Sequence, residues 1–276
     1  MSVKQIAFVR EAEASGRVAE IFADILQVMD VGTVNLIWRH LAVEPAVLEG
    51  AWQATRPFYS GAGLAARVHD FVSALERPSV SAWPSTILHN AGVDGHASTT
   101  LAAVLDTYNR GNAYNLLTLS ALLVEPEADY VPASTQCGDV DAILPAPNMV
   151  LPAVPEMDEM SAVVAELVLD LNRLGNGPGG EAIVATLYKH IALWPGFLNL
   201  VWAKLEPMHR DGELQRLIND ASACALVHAR GLATQRGRWP PSAHRDNARA
   251  AIQSFIQHAI CRMLPIGQLL RRSLRP

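Results

Sequence analysis

Three asparagines, Asn109, Asn112 and Asn115, recur at every third position in the run Tyr108-Asn-Arg-Gly-Asn-Ala-Tyr-Asn115. On a helix this spacing lines the amides along one side, beside the apolar Leu116, Leu117 and Leu119. An amide in apolar surroundings needs partners, because an unsatisfied buried polar group costs about 1–3 kcal/mol. Those partners are either neighbouring helices, solvent on an open face, or a bound small molecule, and the spacing accommodates each. Gly111 costs about 1 kcal/mol relative to Ala in a helix interior, which points to close approach of a backbone or a ligand there.

Two histidines, His40 and His190, each follow a cation, Arg39 and Lys189. A His can act as general base and a cation can attract a carboxylate. Recurrence at equivalent places argues for a structural role, since one shared site needs only one copy. His89, Asp94 and His96 in His-Asn-Ala-Gly-Val-Asp-Gly-His supply metal-type ligands, but their spacing matches neither a helical His pair nor a standard zinc set. The Gly175–Gly180 turn has no preceding strand and no Gly-Lys-Ser/Thr ending, so it reads as a helix connection rather than a phosphate loop. No Gly-x-Ser-x-Gly elbow and no His-Glu-x-x-His is present. No metal and no cofactor is expected.

These residues sit in a chain that repeats itself. At an offset of 150 residues, Val34–Pro57 aligns with Val184–Pro207 with seven identities in 24 positions, among them His40/His190, Pro45/Pro195 and Trp52/Trp202. Val18–Asp24 matches Val164–Asp170 at an offset of 146, the difference falling in the Gly/Pro-rich turn at 175–180. The apolar residues follow helical spacing throughout: Val18, Ile21, Phe22, Ile25; then Val34, Ile37, Trp38, Leu41; then Val47, Leu48, Ala51, Trp52. Pro45 and Pro195 stand where a following helix begins, a position that needs no N–H. The last long helix of the first copy is expected over Thr99–Leu123. The fold class is all-α: two tandem helical repeats packed as an intramolecular pseudo-dimer, with residues 1–125 the first repeat, 126–158 a Pro-rich linker and 159–276 the second. A small-molecule site is expected between the copies.

Composition narrows the function classes. Half the residues are hydrophobic and 18% are charged, enough apolar surface for a large dry core. A net charge of −5 gives no attraction to nucleic acid or an anionic membrane, and the cations Arg271, Arg272 and Arg275 suit the end of a helix. Cys137, Cys224 and Cys261 form no Cys-x-x-Cys and are an odd number, so no disulfide framework is expected. No basic leader with an apolar core and no long apolar span is evident, and a cytoplasmic protein is the expectation.

Ser15-Gly-Arg-Val-Ala-Glu-Ile-Phe-Ala-Asp-Ile25, the helix around Tyr108–Asn112, and Trp194-Pro195 followed by an apolar helix together resemble the group I 2-haloacid dehalogenases, over most of the chain. The resemblance implies an all-α pseudo-dimer with its site at the junction of the repeats. It also implies cofactor-free hydrolysis of small 2-haloalkanoic acids by a water that an Asp activates, without a covalent ester. By the same resemblance the pocket Asn corresponds to Asn112, and a Tyr one turn further on to Asn115. The general-base Asp position is held by Leu187 and a Ser before it by Thr186. A Trp and a Phe of the pocket wall correspond to Thr33 and Leu36. Leu187 has no proton-accepting atom. Glu181, six residues earlier, is about 9 Å away along a helix, so His190, three residues beyond Leu187 and on nearly the same face, is the better substitute base.

Three readings follow. One is a dehalogenase-like hydrolase of small 2-substituted carboxylic acids. Another is a non-catalytic protein that binds such a ligand through Asn112, Asn115 and Thr186, and the third is an enzyme of another reaction class on the same scaffold. The carboxymuconolactone decarboxylase and alkylhydroperoxidase-like proteins share the flavour of the Gly16–Ile25 and Trp38–Pro45 segments, but typically use a Cys-x-x-Cys pair that this chain lacks.

Overall fold

The computed structural model describes residues 6–61, 63–126, 149–177, 180, 182–239 and 244–274. Most of the 126–158 linker, Cys137, Glu181, Arg275 and part of the 175–180 turn lie outside them. Among the described residues every regular element is helical and no strand forms. No helix among them is long and apolar enough to cross a membrane.

The first half contains α1 (Gly16–Met29), α2 (Leu36–Leu41), α3 (Pro45–Ser60), α4 (Leu64–Ala74), α5 (Ser85–Asn90) and α6 (Gly95–Leu123). The second contains α7 (Ala162–Arg173), α8 (Thr186–Ile191), α9 (Pro195–Arg210), α10 (Glu213–Leu232), α11 (Arg245–Phe255) and α12 (Cys261–Ser273). A π turn, Ile256–Ile260, joins α11 to α12. The bounds of α2 and α8, and of α3 and α9, match at the offset of the sequence repeat, and α3 and α9 both take Pro at their first position. There the missing N–H removes no hydrogen bond and the fixed φ suits the helix. Helix α6 begins four residues before the expected Thr99, because the Asp94 carboxylate accepts from the Ala97 N–H at 2.8 Å and caps the helix. The Asp in the 89–96 segment thus has a structural partner.

Helix α6 is buried all round, from Thr100 to Leu122 with few breaks. It packs on α3 and α4 of its own half and on α8, α10, α11 and α12 of the other. In turn α11 packs on α2 and α3. Thus α6 lies on the short α8 and α11 on the short α2, and one continuous apolar core runs through both halves.

That core contains a cation. Arg262 of α12 is 1% exposed; its guanidinium donates to the carbonyls of Asn172 and Leu174 and to Asn172 Oδ1, tying the C-terminus of α7 to the centre. Asn172 in turn donates to the Ile183 carbonyl and accepts from the Ala185 N–H, which sets the approach to α8. Arg262→Met keeps the aliphatic stem but removes these charge-assisted bonds and leaves the Leu174 carbonyl without its donor, so it is expected to lower stability by about 2–5 kcal/mol, read as a shift in the urea midpoint at unchanged slope. A loss below about 1 kcal/mol would show that water replaces the guanidinium.

Candidate functional site

A small cavity opens where α2, α6, α8 and the π turn meet. Its volume is about 40 Å³, by a measure in which one ordered water needs roughly 10–15 Å³. The first residues of the two short helices form opposite walls: Asn35, Leu36 and Ile37 from α2, and Ala185, Thr186 and Leu187 from α8. Ile37 and Leu187 align at the 150-residue sequence offset, and both reach the cavity. Neither short helix has a side-chain cap at its N-terminus, so first-turn N–H groups are left to other partners. Tyr108 and Asn112 of α6 form the third wall, and Phe255, Ala259, Ile260 and Met263 the fourth. The π turn widens the helix in this wall, where both Ala259 and Ile260 face the opening.

The polar atoms here are few and incompletely used. Asn35 Oδ1 and Thr186 Oγ1 are buried and have no hydrogen-bond partner in the protein. Each such atom costs about 1–3 kcal/mol unless something else occupies the cavity. Asn35 reaches its place because Gly111 lacks a side chain: a Cβ there would stand 2.8 Å from both amide atoms of Asn35. The close approach at Gly111 is therefore to the Asn35 side chain, not to the backbone or ligand expected from the sequence. No carboxylate, Lys, Arg, His or Cys is among the described residues lining the cavity.

The amide stripe of α6 splits in three directions. Asn112 faces the cavity. Asn115 is fully buried and its Oδ1 accepts from Trp38 Nε1 at 3.1 Å. Asn109 packs on α12, where a Cβ at Gly267 would stand 2.2 Å from its Oδ1. Of the residues singled out from sequence, Leu36, Asn112, Thr186 and Leu187 thus come together, and Asn115 lies behind the wall. His190 and Thr33 line a different pocket, closed by Leu151–Val154. Asn35, Tyr108 and the Phe255–Met263 wall were not singled out. Tyr108 heads the motif that carries the asparagines, and Asn35 stands directly before the helical stripe.

Tyr108 separates the two pockets. Its phenol lies 3.3 Å from His190 Nδ1, and the rings meet edge to face. Burial pushes the Tyr108 phenol above its ordinary range. Burial pulls His190 down to about 4, offset only slightly by the Pro152 carbonyl, and its Nε2 has no partner at hydrogen-bonding geometry. The ring is therefore neutral at neutral pH, and the phenol can donate to Nδ1. His40, in the equivalent position, accepts no such bond: its Nδ1 faces the Ala7 carbonyl at 2.7 Å and its ring packs on Phe255. Burial also raises the thiols of Cys224 and Cys261, to about 11 and about 12, so neither is a thiolate at neutral pH.

No family model and no curated protein matches the chain. Solved structures do match. A D-2-haloacid dehalogenase mutant in complex with D-2-CPA aligns with a TM-score of 0.73 at 19% identity, over 98% of this chain and 96% of that one. A D-2-haloacid dehalogenase in complex with L-LA aligns over the same shares with a TM-score of 0.74 at 19% identity. Another mutant D-2-haloacid dehalogenase aligns with a TM-score of 0.74 at 18% identity. The chain has the haloacid dehalogenase fold.

Two outcomes follow from this geometry. Gly111→Ala is expected to push the Asn35 amide off the cavity wall and shift its side-chain NMR signals, while stability changes by less than about 1 kcal/mol because Ala favours the helix. For His190 the folded-state value lies below the ordinary 6.5, so the unfolded chain takes the proton first. The neutral ring's contribution is complete above pH 6.5 and is lost as pH falls toward about 4, on the order of 3 kcal/mol from this group. Urea denaturation across that range should show a flatter acid limb for His190→Gln than for the wild type; equal slopes would refute neutral burial.

Proposed function

We propose that this chain is a haloacid dehalogenase-like protein that takes a small 2-substituted carboxylic acid into the cavity between α2, α6, α8 and the π turn, without running the carboxylate-activated hydrolysis of the family it resembles. The observation that carries this reading is a cavity with unused polar atoms at Asn35 and Thr186 and no carboxylate in its described wall. On this reading Asn112, Thr186 and the uncapped first-turn N–H groups of α2 and α8 orient the acid. Leu36, Ile37, Leu187 and Met263 enclose its substituent. The D-2-CPA and L-LA held by the structural neighbours are in keeping with a small ligand.

Displacement of a halide by water needs an acceptor for the water's proton within about 2.6–3.2 Å, or one water further. Leu187, at the position where the resemblance implies Asp, has none. The matching bounds of α2 with α8 and α3 with α9 support a further part of the reading. In it residues 1–125 and 159–276 are copies of one unit, joined by 126–158 and paired within the chain around this cavity. No cofactor is part of the reading.

The Tyr108–His190 contact favours a second reading, a hydrolase with a relayed base. Water would pass a proton to the Tyr108 oxygen as the phenol proton moves to His190 Nδ1. Hydroxide would then attack the halogen-bearing carbon and release the halide. An imidazole held near 4 is a weak base for this purpose, which places this reading second.

Chloride release from D- and L-2-chloropropionate, measured beside thermal stabilisation by the same acids, tests both readings. The expected outcome is stabilisation of the wild type, weakened at least tenfold in apparent affinity by Asn112→Ala, with no chloride release; Leu187→Asp, checked for folding by circular dichroism, gains release. Wild-type turnover that disappears in His190→Gln would establish the relay instead. Absence of both binding and turnover would overturn the two readings together.

A further inference from the structure

On the other side of Tyr108 lies the second pocket, about 360 Å³ in volume. Arg10 and Glu11, Thr33, the Arg39 side chain of α2, His190 of α8 and the segment Leu151–Glu159 wall it. Its charges are individually engaged, with one exception. Glu156 Oε2 accepts from Lys189 Nζ at 2.6 Å, and Glu156 Oε1 lies 3.8 Å from Arg10 Nε. Glu159 accepts from the Glu156 N–H at 2.7 Å. Glu11 Oε1 accepts from Thr33 Oγ1 at 2.6 Å and from the Val34 N–H at 3.0 Å.

Arg39 is the exception. It is 6% exposed, and its Nε and Nη2 have no hydrogen-bond partner. Arg39 and Lys189 occupy the same position in the two sequence copies, and both lie over the ring of Phe8, at 4.6 and 5.4 Å from its centre. Lys189 has a carboxylate partner and Arg39 has none among the described ion pairs. Burial lowers the Arg39 pKa, and the nearby Glu11 and Glu156 carboxylates, neither in hydrogen-bond contact with it, offset only part of the cost of holding this cation out of water. A guanidinium keeps its proton nevertheless, so an anion is what relieves that cost. The geometry of the free edge selects which anion. Nε–H and Nη2–H point the same way from the guanidinium plane's edge, spaced to meet the two oxygens of one carboxylate.

We propose that this second pocket binds a small monocarboxylate, its two oxygens on the Nε–Nη2 edge of Arg39 and its apolar tail against Leu151 and Val154. Glu11, Glu156 and Glu159 in the same wall repel a second negative charge, so dicarboxylates and phosphate are disfavoured. The site is separate from the cavity around Asn112 and stands whether or not that cavity binds an acid.

The test uses the full chain labelled with ¹⁵N-arginine, titrated with propionate and, as its neutral isostere, with propionamide. One Arg Nε–H signal, assigned by its loss in Arg39→Lys and by contacts to the Phe8 ring protons, is expected to shift saturably with propionate and to stay put with propionamide. By calorimetry Arg39→Lys, which keeps the charge and loses the fork, weakens this binding at least tenfold, while Trp202→Ala, at an exposed position that lines neither pocket, leaves it unchanged. If Arg39→Lys fails to fold, the Phe8 contacts alone assign the wild-type signal. The proposal is overturned by an Arg39 signal that ignores propionate or responds equally to propionamide. It is also overturned if Arg39→Lys retains the binding and Asn112→Ala abolishes it, which would assign propionate to the first cavity.

Discussion

Helix α6 has almost no solvent face, so its polar side chains find partners only inside the protein, and Asn109 Oδ1, Asn115 Nδ2 and Ser120 Oγ find none. The consequences reach most elements. Asp106 pairs with Arg271 of α12 at 2.8 Å. Arg110 donates to the Met29 carbonyl at the end of α1, and Thr118 meets the Tyr59 hydroxyl of α3. Asn115 holds Trp38 of α2, and Tyr108 holds His190 of α8. A helix loaded with amides and hydroxyls at the centre of a dry core thereby specifies where its neighbours sit, since a shifted neighbour would strand a polar group at about 1–3 kcal/mol.

Against that central helix the two sequence copies are used differently. Trp52 is buried and donates to Asp24 at 2.7 Å, whereas Trp202 in the matching position is 39% exposed. His40 anchors the N-terminal segment through Ala7, whereas His190 is enclosed behind a phenol. Lys189 is neutralised by Glu156 and Arg39 is left with a ring beneath it. The members of each pair share a local sequence pattern, and each differs through what a remote segment brings to it. The N-terminal stretch, through Ala7 and Phe8, and the 149–159 segment, through Glu156, do much of this.

The fold alone does not carry the chemistry of its structural neighbours. At 19% identity over nearly the whole chain, the backbone arrangement is kept while the cavity wall is free to change. An apolar Leu187 opposite an apolar Ile37 makes the facing walls alike, and neither side chain offers a proton acceptor.

The all-helical character and the starts of α3 and α9 at Pro45 and Pro195 were legible in the sequence, because they depend on local periodicity and capping, whereas the amides expected along one side of α6 turn to three different neighbours. The close approach at Gly111 was legible too, though not its partner. Which residues line the cavity was not. Leu187 and His190 differ by three helical steps, about 60° around the axis, and that angle alone puts one in the cavity and the other behind Tyr108. The contacts that decide the matter join residues 77 and 82 positions apart, Trp38 to Asn115 and Tyr108 to His190. Separations of that length leave no periodic trace, so only the packing of α6 against α2 and α8 settles them.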